Sequence, residues 1–393
     1  MPNRFSESRD VGSALSSQEP RSVSIEIDLA AIRENLTTAR RCSAGSKQFA
    51  TIKADAYGHG AVAVAHALSP ESTKRPYSDP DAPCEGNIEA VADGFAVVTL
   101  SEALQLRESG ILQPVLVLQG PQRASDCEYF EQYDLWPVIH DLDQYAWYES
   151  CAEVKKLNAW LKIDTGMGRL GVSVAQATKL LRNHDAIHWQ GMLTHFACAD
   201  EVDNPFTRQQ IEAFASIAPD VKIDRSLANS AAVLAWPDAR SDWARPGIML
   251  YGCNPLDREL PEGVTLKPAM SVSAPLISIK RMPAGTGIGY AQTYHCPEDM
   301  PVGYVGLGYR DGIPRVLDGR ATVTIAGVRC PIIGRVSMDS FAVDLRPAPA
   351  AKRLDSATLW GSDTSIDDLA SAAGTINYEL LTSIRGHRRY MST

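Results

Sequence analysis

From residue 23 onward, apolar and polar positions fall into short runs whose period keeps changing. VSIEIDL alternates like a strand, and Asp28 stands where a cap is wanted for a helix over about Leu29 to Arg41, with Ile32 and Leu36 on one face. Phe49 to Ile52 then reads as a buried strand ending on Lys53, followed by a glycine-containing turn with Tyr57 and His59 close by. AVAVAHAL predicts a short helix that stops near Ser69 and Pro70, and the proline-rich stretch 69–87 reads as a surface loop or insertion.

A steady rhythm follows. GFAVVTL (94–100) predicts a buried strand, and SEALQLRESG a helix opened by a serine cap and closed on Gly110. PVLVLQG, LWPVIH, LNAWLKID, HWQGMLTHF, KIDRSL and DWARPGIMLYG continue as strands, with helices near 124–133, from Asp141 to about Glu153, over SVAQATKLLRN, from Pro205 to Ile217 and from Ser230. About eight strands alternating with helices imply a parallel sheet closed into a (β/α)8 barrel, the TIM-barrel architecture. Beyond about Leu266 the runs become short, β-rich and broken by Gly and Pro, with one helical signal in SIDDLASAAG. The expected organisation is therefore a flexible leader (1–21), a barrel (22–265) and a mostly-β C-terminal domain (266–393).

Composition narrows the partners. A formal net charge of -9 without a basic stripe argues against nucleic acid and anionic membrane surfaces, and favours a small molecule. The eight cysteines are scattered singly, with no paired spacing, so they read as free thiols in a reducing compartment. The polar start lacks a signal-peptide core and no run reaches membrane-span length, which makes the cytoplasm the default. No metal-ligand spacing stands out.

In such barrels functional groups gather at the carboxyl ends of the strands. Lys53 ends the first, Lys162 and Asp164 the fifth, His195 the sixth; Asn229 and Ser230 follow the seventh and Arg245 lies in the eighth. A reactive amine at one strand end, with an anion site around Ser230 and Gly247-Ile248 after the last two strands, is what a pyridoxal phosphate enzyme requires.

KADAYGHG, LKIDTGMGRLG, THFACADE, ARPGIMLYG, GIGYAQTY, GLGYRDG, GRVSMD and INYE, in that order and spacing, resemble alanine racemase, a fold-type III pyridoxal phosphate enzyme, over about Val23 to Glu379. The resemblance implies that Lys53 holds pyridoxal 5'-phosphate and serves as base on one face of the substrate, with Tyr290 as base on the other. It implies Arg245 against the pyridine nitrogen and His195 beside the ring. Tyr57, Asn229, Ser230, Gly247, Ile248 and Tyr378 match cofactor-binding positions. Arg169, Tyr309, Met338 and Asp339 match substrate-binding positions, and Lys162 matches a lysine that is often carbamylated. Tyr290, Tyr309, Met338 and Asp339 would come from the other subunit of a homodimer. The implied reaction interconverts L-alanine and D-alanine for peptidoglycan. The alternatives are a broad-spectrum or serine racemase on the same scaffold and a non-catalytic pyridoxal phosphate-binding protein. Ala291 stands where the family often has Gly, and the tail after Glu379 departs from the family.

Overall fold

The computed structural model describes residues 23–70, 90–150, 157–182 and 187–391. The expected leader and nearly all of the 69–87 insertion lie outside these residues. Within the described chain, 27–270, 377–382 and 390–391 group into one compact unit, and 23–26, 271–376 and 383–389 into another.

The first unit is built on eight parallel strands in the order β8-β7-β6-β5-β4-β3-β2-β9. They are β2 (Lys47–Thr51), β3 (Gly94–Val97), β4 (Val115–Val117), β5 (Trp136–Ile139), β6 (Leu157–Lys162), β7 (Ile187–Leu193), β8 (Asp224–Ser226) and β9 (Trp243–Ala244). Helices α3 (Ala61–Ala67), α4 (Leu100–Glu108), α5 (Cys127–Gln132), α6 (Leu142–Ser150), α7 (Val174–Arg182), α8 (Phe206–Ala215) and α9 (Ser230–Ala235) separate them. β8 and β9 meet with little ladder between them. Instead, Arg245 N donates to Ala228 O (2.8 Å), Ser226 Oγ to Trp243 O (2.9 Å) and Trp243 Nε1 to Asp224 Oδ2 (2.8 Å).

Strands with both faces covered read as unbroken apolar runs, which is why the barrel stands out in the sequence. Its interior is filled by Phe49, Ala96, Leu116, Val138, Trp160, Leu193 and Trp243. Phe49 stacks on Trp243 at 3.9 Å between centroids and meets Trp160 edge-on at 5.5 Å. This aromatic plug makes the barrel a solid support for side chains at its rim.

Two local expectations change. Helix α4 is capped by Thr99, not by Ser101. Thr99 and Glu102 form a capping box, so the helix starts two residues earlier, at Leu100. The turn after β2 is not made by glycine alone, since Ala54, Asp55, Ala56 and Tyr57 all have φ between +51° and +54°. That is one turn of left-handed helix, α2 (Lys53–Tyr57), in side-chain-bearing residues. Such backbone costs about 1–2 kcal/mol per residue, so it must be held from outside. Elsewhere the first helix matches its reading closely. It is α1 (Leu29–Cys42), with Asp28 accepting from Ala31 N.

The second unit carries an eight-stranded sheet. Its members include β1 (Ser24–Asp28), the 13-residue β10 (Met270–Met282), β13 (Met300–Val305), β14 (Thr322–Ile325), β15 (Val328–Ile333) and β16 (Phe341–Asp344). YVGLGY, read as a strand, leaves the sheet after Val305. Strands β17 (Ser356–Trp360) and β18 (His387–Met391) were not foreseen. Beside the expected helix α10 (Ile366–Ala373) there is α11 (Asn377–Ser383).

Candidate active site

Lys53 stands two residues beyond β2, at the start of the left-handed turn. Its half-buried amine lies 5.8 Å from the Tyr57 ring centroid. Burial, and then the positive charge of Arg169, push its pKa below the usual lysine range, with Glu102 pulling the other way. Lys162, buried at the end of β6, is driven down to about 8 by burial and by Arg245, Arg169 and Lys53, against Asp164. Lys53, Lys162, Arg169, Arg245 and His195 therefore share one electrostatic neighbourhood at the carboxyl ends of the strands, in which cations outnumber carboxylates.

Arg245 is the best-anchored of these. Its guanidinium donates to Ser226 O (2.8 Å), Ser226 Oγ (2.5 Å), Thr194 O (2.5 Å) and Leu227 O (3.3 Å), so backbone dipoles rather than a carboxylate accept its charge. Burial draws its pKa down to about 10. His195 follows β7, and its carbonyl accepts from Gln210 Nε2 (3.1 Å). Burial first, then Arg245, Lys162, Arg169 and Lys53, hold its imidazole neutral, down at about 3.

A neutral His195 has a measurable consequence. The unfolded chain takes up a proton near pH 6.5 that the folded site refuses, so this group's contribution to stability is lost as pH falls from about 6.5 toward 3. Arg245→Gln removes the largest charge effect and leaves burial in place. It is expected to move the His195 titration upward and to flatten that acid loss, read by NMR of the labelled imidazole and by melting temperature against pH. An unmoved midpoint would show that Arg245 does not act on His195.

The remaining barrel residues gather around Gly247. The Ser230 hydroxyl accepts from Gly247 N (2.8 Å) and Met249 N (3.4 Å). A Cβ added to Gly247 would stand 2.6 Å from the Tyr57 hydroxyl, so a side chain there would fill the space the phenol occupies. Ile248 is fully buried and opens a 3-10 turn, Ile248–Tyr251. Asn229 spends its Oδ1 on capping α9, at 3.0 Å from Ala232 N. Tyr378, on α11, has its ring 5.8 Å from that of Tyr57. Burial pushes both phenols upward, which keeps them protonated. His59, which drew notice beside Lys53, is wholly buried, with Nδ1 3.0 Å from Ala56 O and its ring stacked on Tyr251.

Four candidates lie in the other unit. Tyr290 is 63 % exposed on a short turn, Tyr290–Gln292. Ala291 there has φ +59°, a conformation that favours glycine, which gives a physical reason for glycine at this position. The preceding strand, β11 (Gly287–Ile288), borders Gly334. The chain from Gly334 leads directly to Met338 and Asp339. Tyr309 N donates to Ser337 O (3.0 Å), Arg310 N to Met338 O (3.2 Å), and Arg310 pairs with Asp339 at 2.9 Å. Tyr290, Tyr309 and Met338 are all exposed on these neighbouring loops. Among the described residues no group of three or more His, Cys, Asp or Glu could hold a metal ion.

Three contributors were missed in the sequence. Glu102 hides in T-L-S-E, whose capping-box spacing was available but was read from the wrong residue. Ser226 and the Thr194 carbonyl brace Arg245 mostly through backbone atoms, which leave no residue signature.

Comparison with known proteins supplies the context. The family described as "Alanine racemase, N-terminal domain" matches residues 27–75 and 83–255, and "Alanine racemase, C-terminal domain" matches 269–391. The alanine racemase of Thioalkalivibrio sulfidiphilus (strain HL-EbGR7) is 43% identical over 375 residues, spanning 94% of this chain and 98% of that protein. The crystal structure of biosynthetic alanine racemase from Pseudomonas aeruginosa superposes with a TM-score of 0.85 at 40% identity, covering 95% of this chain and 100% of that one. The alanine racemase from Bartonella henselae, solved with covalently bound pyridoxal phosphate, gives a TM-score of 0.82 at 28% identity, with 95% and 100% coverage.

Proposed function

The chain belongs to the alanine racemase family, and from that premise we propose that it interconverts L-alanine and D-alanine with pyridoxal 5'-phosphate held on Lys53. The enzyme is an isomerase, an amino-acid racemase. The observation that carries the reading is the lysine amine among cations at the carboxyl ends of the barrel strands, beside a glycine-floored cradle lined by hydroxyls.

That cradle fits the cofactor. The excess of cations would favour its phosphate dianion, which the Tyr57, Ser230 and Tyr378 hydroxyls would hold as donors, with Asn229, Gly247 and Ile248 supplying backbone around it. The bound cofactor supplies an electron sink that acidifies the α-hydrogen of an attached amino acid. Arg245 would place against the pyridine nitrogen a cation that cannot easily give up its proton, and His195, kept neutral, would stand beside the ring without adding charge. Lys53 moves the proton on one face of the α-carbon. Tyr290 of the partner subunit moves it on the other, because inversion requires the proton to leave from one side and arrive on the opposite one.

Arg169 takes the substrate carboxylate, and Tyr309, Met338 and Asp339 of the partner subunit line the approach, so the working form is a homodimer. Lys162 has a pKa near 8 and thus an accessible neutral amine. That amine can add carbon dioxide and release a proton, which replaces a cation beside Arg169 by an anion. The product serves peptidoglycan from the cytoplasm. Among the described residues no helix is long and apolar enough to cross a membrane.

The test is incubation with L-alanine, L-serine, L-lysine and L-arginine and measurement of each D-enantiomer. D-alanine is expected to form fastest, and each extra methylene on a rival side chain is expected to change the discrimination by about 1–3 kcal/mol. No D-alanine would overturn the reading, and D-serine or D-lysine at comparable kcat/KM would mark a broad-spectrum racemase.

A further inference from the structure

The left-handed turn that presents Lys53 requires an external hold, and one side chain supplies it at the point that matters. Ala54, the first residue of the turn at positive φ, donates its N–H to Glu102 Oε1 at 2.8 Å. The other oxygen of that carboxylate accepts from Val98 N (2.7 Å) and Thr99 N (3.1 Å), and Thr99 Oγ1 in return accepts from Glu102 N (3.3 Å). A capping box needs only the exchange with Thr99. The reach to Ala54 crosses to a different strand–helix connection and seizes the peptide that joins it to Lys53.

We propose that Glu102 is a positioning residue for racemisation: it clamps the Lys53–Ala54 peptide to the amino end of α4 and so fixes the direction in which the Lys53 amine enters the site. The proposal rests on Lys53 being the cofactor-bearing lysine. The far end of the turn has its own brace, Asp55 Oδ1 accepting from Ala61 N at 2.8 Å, so Glu102 governs the end at which the lysine stands. The charge matters as well as the bond. Arg169 acts on the Lys53 amine as a cation, Lys162 with its lowered pKa is coupled to the same neighbourhood, His195 is neutral, Tyr57 presents its ring, and Glu102 is the carboxylate that opposes Arg169 there.

A purely structural cap and a positioning carboxylate make different predictions. Thr99→Ala removes one half of the capping box and leaves the bond to Ala54. It is expected to lower the melting temperature while the pH dependence of Lys53 reactivity stays put. Glu102→Gln keeps the shape and loses the charge. It is expected to shift downward the pH at which Lys53 of the cofactor-free full chain is carbamoylated by cyanate, read by peptide mass. Glu102→Ala is expected to do the same and, in the loaded enzyme, to lower kcat by roughly tenfold with KM little changed, the loss of one charge-assisted hydrogen bond.

If Glu102→Gln leaves the reactivity midpoint unmoved, or Thr99→Ala moves it equally, the positioning role is overturned. Borohydride reduction of the loaded parent protein separates the two layers. Cofactor fixed on a lysine other than Lys53 removes the premise, whereas cofactor fixed on Lys53 with an unmoved midpoint removes Glu102 alone.

Discussion

Replacing Lys53 with alanine is expected to lower turnover by about 10⁴-fold or more in both directions, because one side chain is proposed both to bear the cofactor and to act as a base. The fold should survive the change. In the cofactor-free chain the Lys53 amine is half-buried and its charged form is disfavoured first by burial and then by Arg169, so its removal there relieves a cost. The melting temperature of the Lys53→Ala protein should therefore equal or exceed that of the cofactor-free parent. Methylamine in the assay should restore part of the turnover, since a small amine can enter the space vacated by the side chain. Turnover within tenfold of the parent would remove Lys53 from the mechanism.

How much of this was legible depends on where the physics is written. The barrel strands were, because FATI, AVV, VLVL and WLKI bury both faces and so stand out as apolar runs flanked by helical periodicity. The last strand, HRRYM, was not. It is polar and largely exposed, and it forms because a neighbouring strand offers hydrogen bonds, as His387 N shows by donating to Val23 O at 3.0 Å. The left-handed turn at Ala54–Tyr57 was likewise hidden, since nothing in ADAY marks positive φ. The side chain that holds its Lys53 end lies 48 residues away from Ala54, at Glu102.

The site divides in the same manner. Lys53, Lys162, His195 and Arg245 were legible as a group because strand ends in a barrel converge, and the electrostatic coupling among them follows from that convergence. The carbonyls of Thr194, Ser226 and Leu227 that hold Arg245 were not, because backbone acceptors carry no sequence identity. Nor could spacing alone single out Tyr290. An exposed tyrosine on a β-rich unit reads as surface until the resemblance gives it a task.

That task leads to the sharpest expectation for the second unit. Tyr290→Phe removes one oxygen from a side chain that is 63 % exposed, so the stability of the isolated subunit should be unaffected. Racemisation in both directions should nonetheless fall by about 10²–10⁴-fold, the usual range for losing a general acid–base group. The two enantiomers of alanine should then behave differently in deuterium oxide. The one whose α-hydrogen faces Lys53 should still exchange it and return unchanged in configuration, and the other should exchange at a rate reduced with the racemisation. A single-base mechanism, in which Lys53 serves both faces, makes the opposite forecast: exchange of both enantiomers falls together or not at all. Since Tyr290 is proposed to act in the partner's site, mixing Lys53→Ala with Tyr290→Phe subunits adds a check. In a mixed dimer one site combines both lesions and the other combines neither, so up to half the parent activity per mixed dimer should return. Two inactive variants that stay inactive on mixing, with dimers shown to have exchanged subunits, would place Tyr290 in its own chain's site or outside the chemistry.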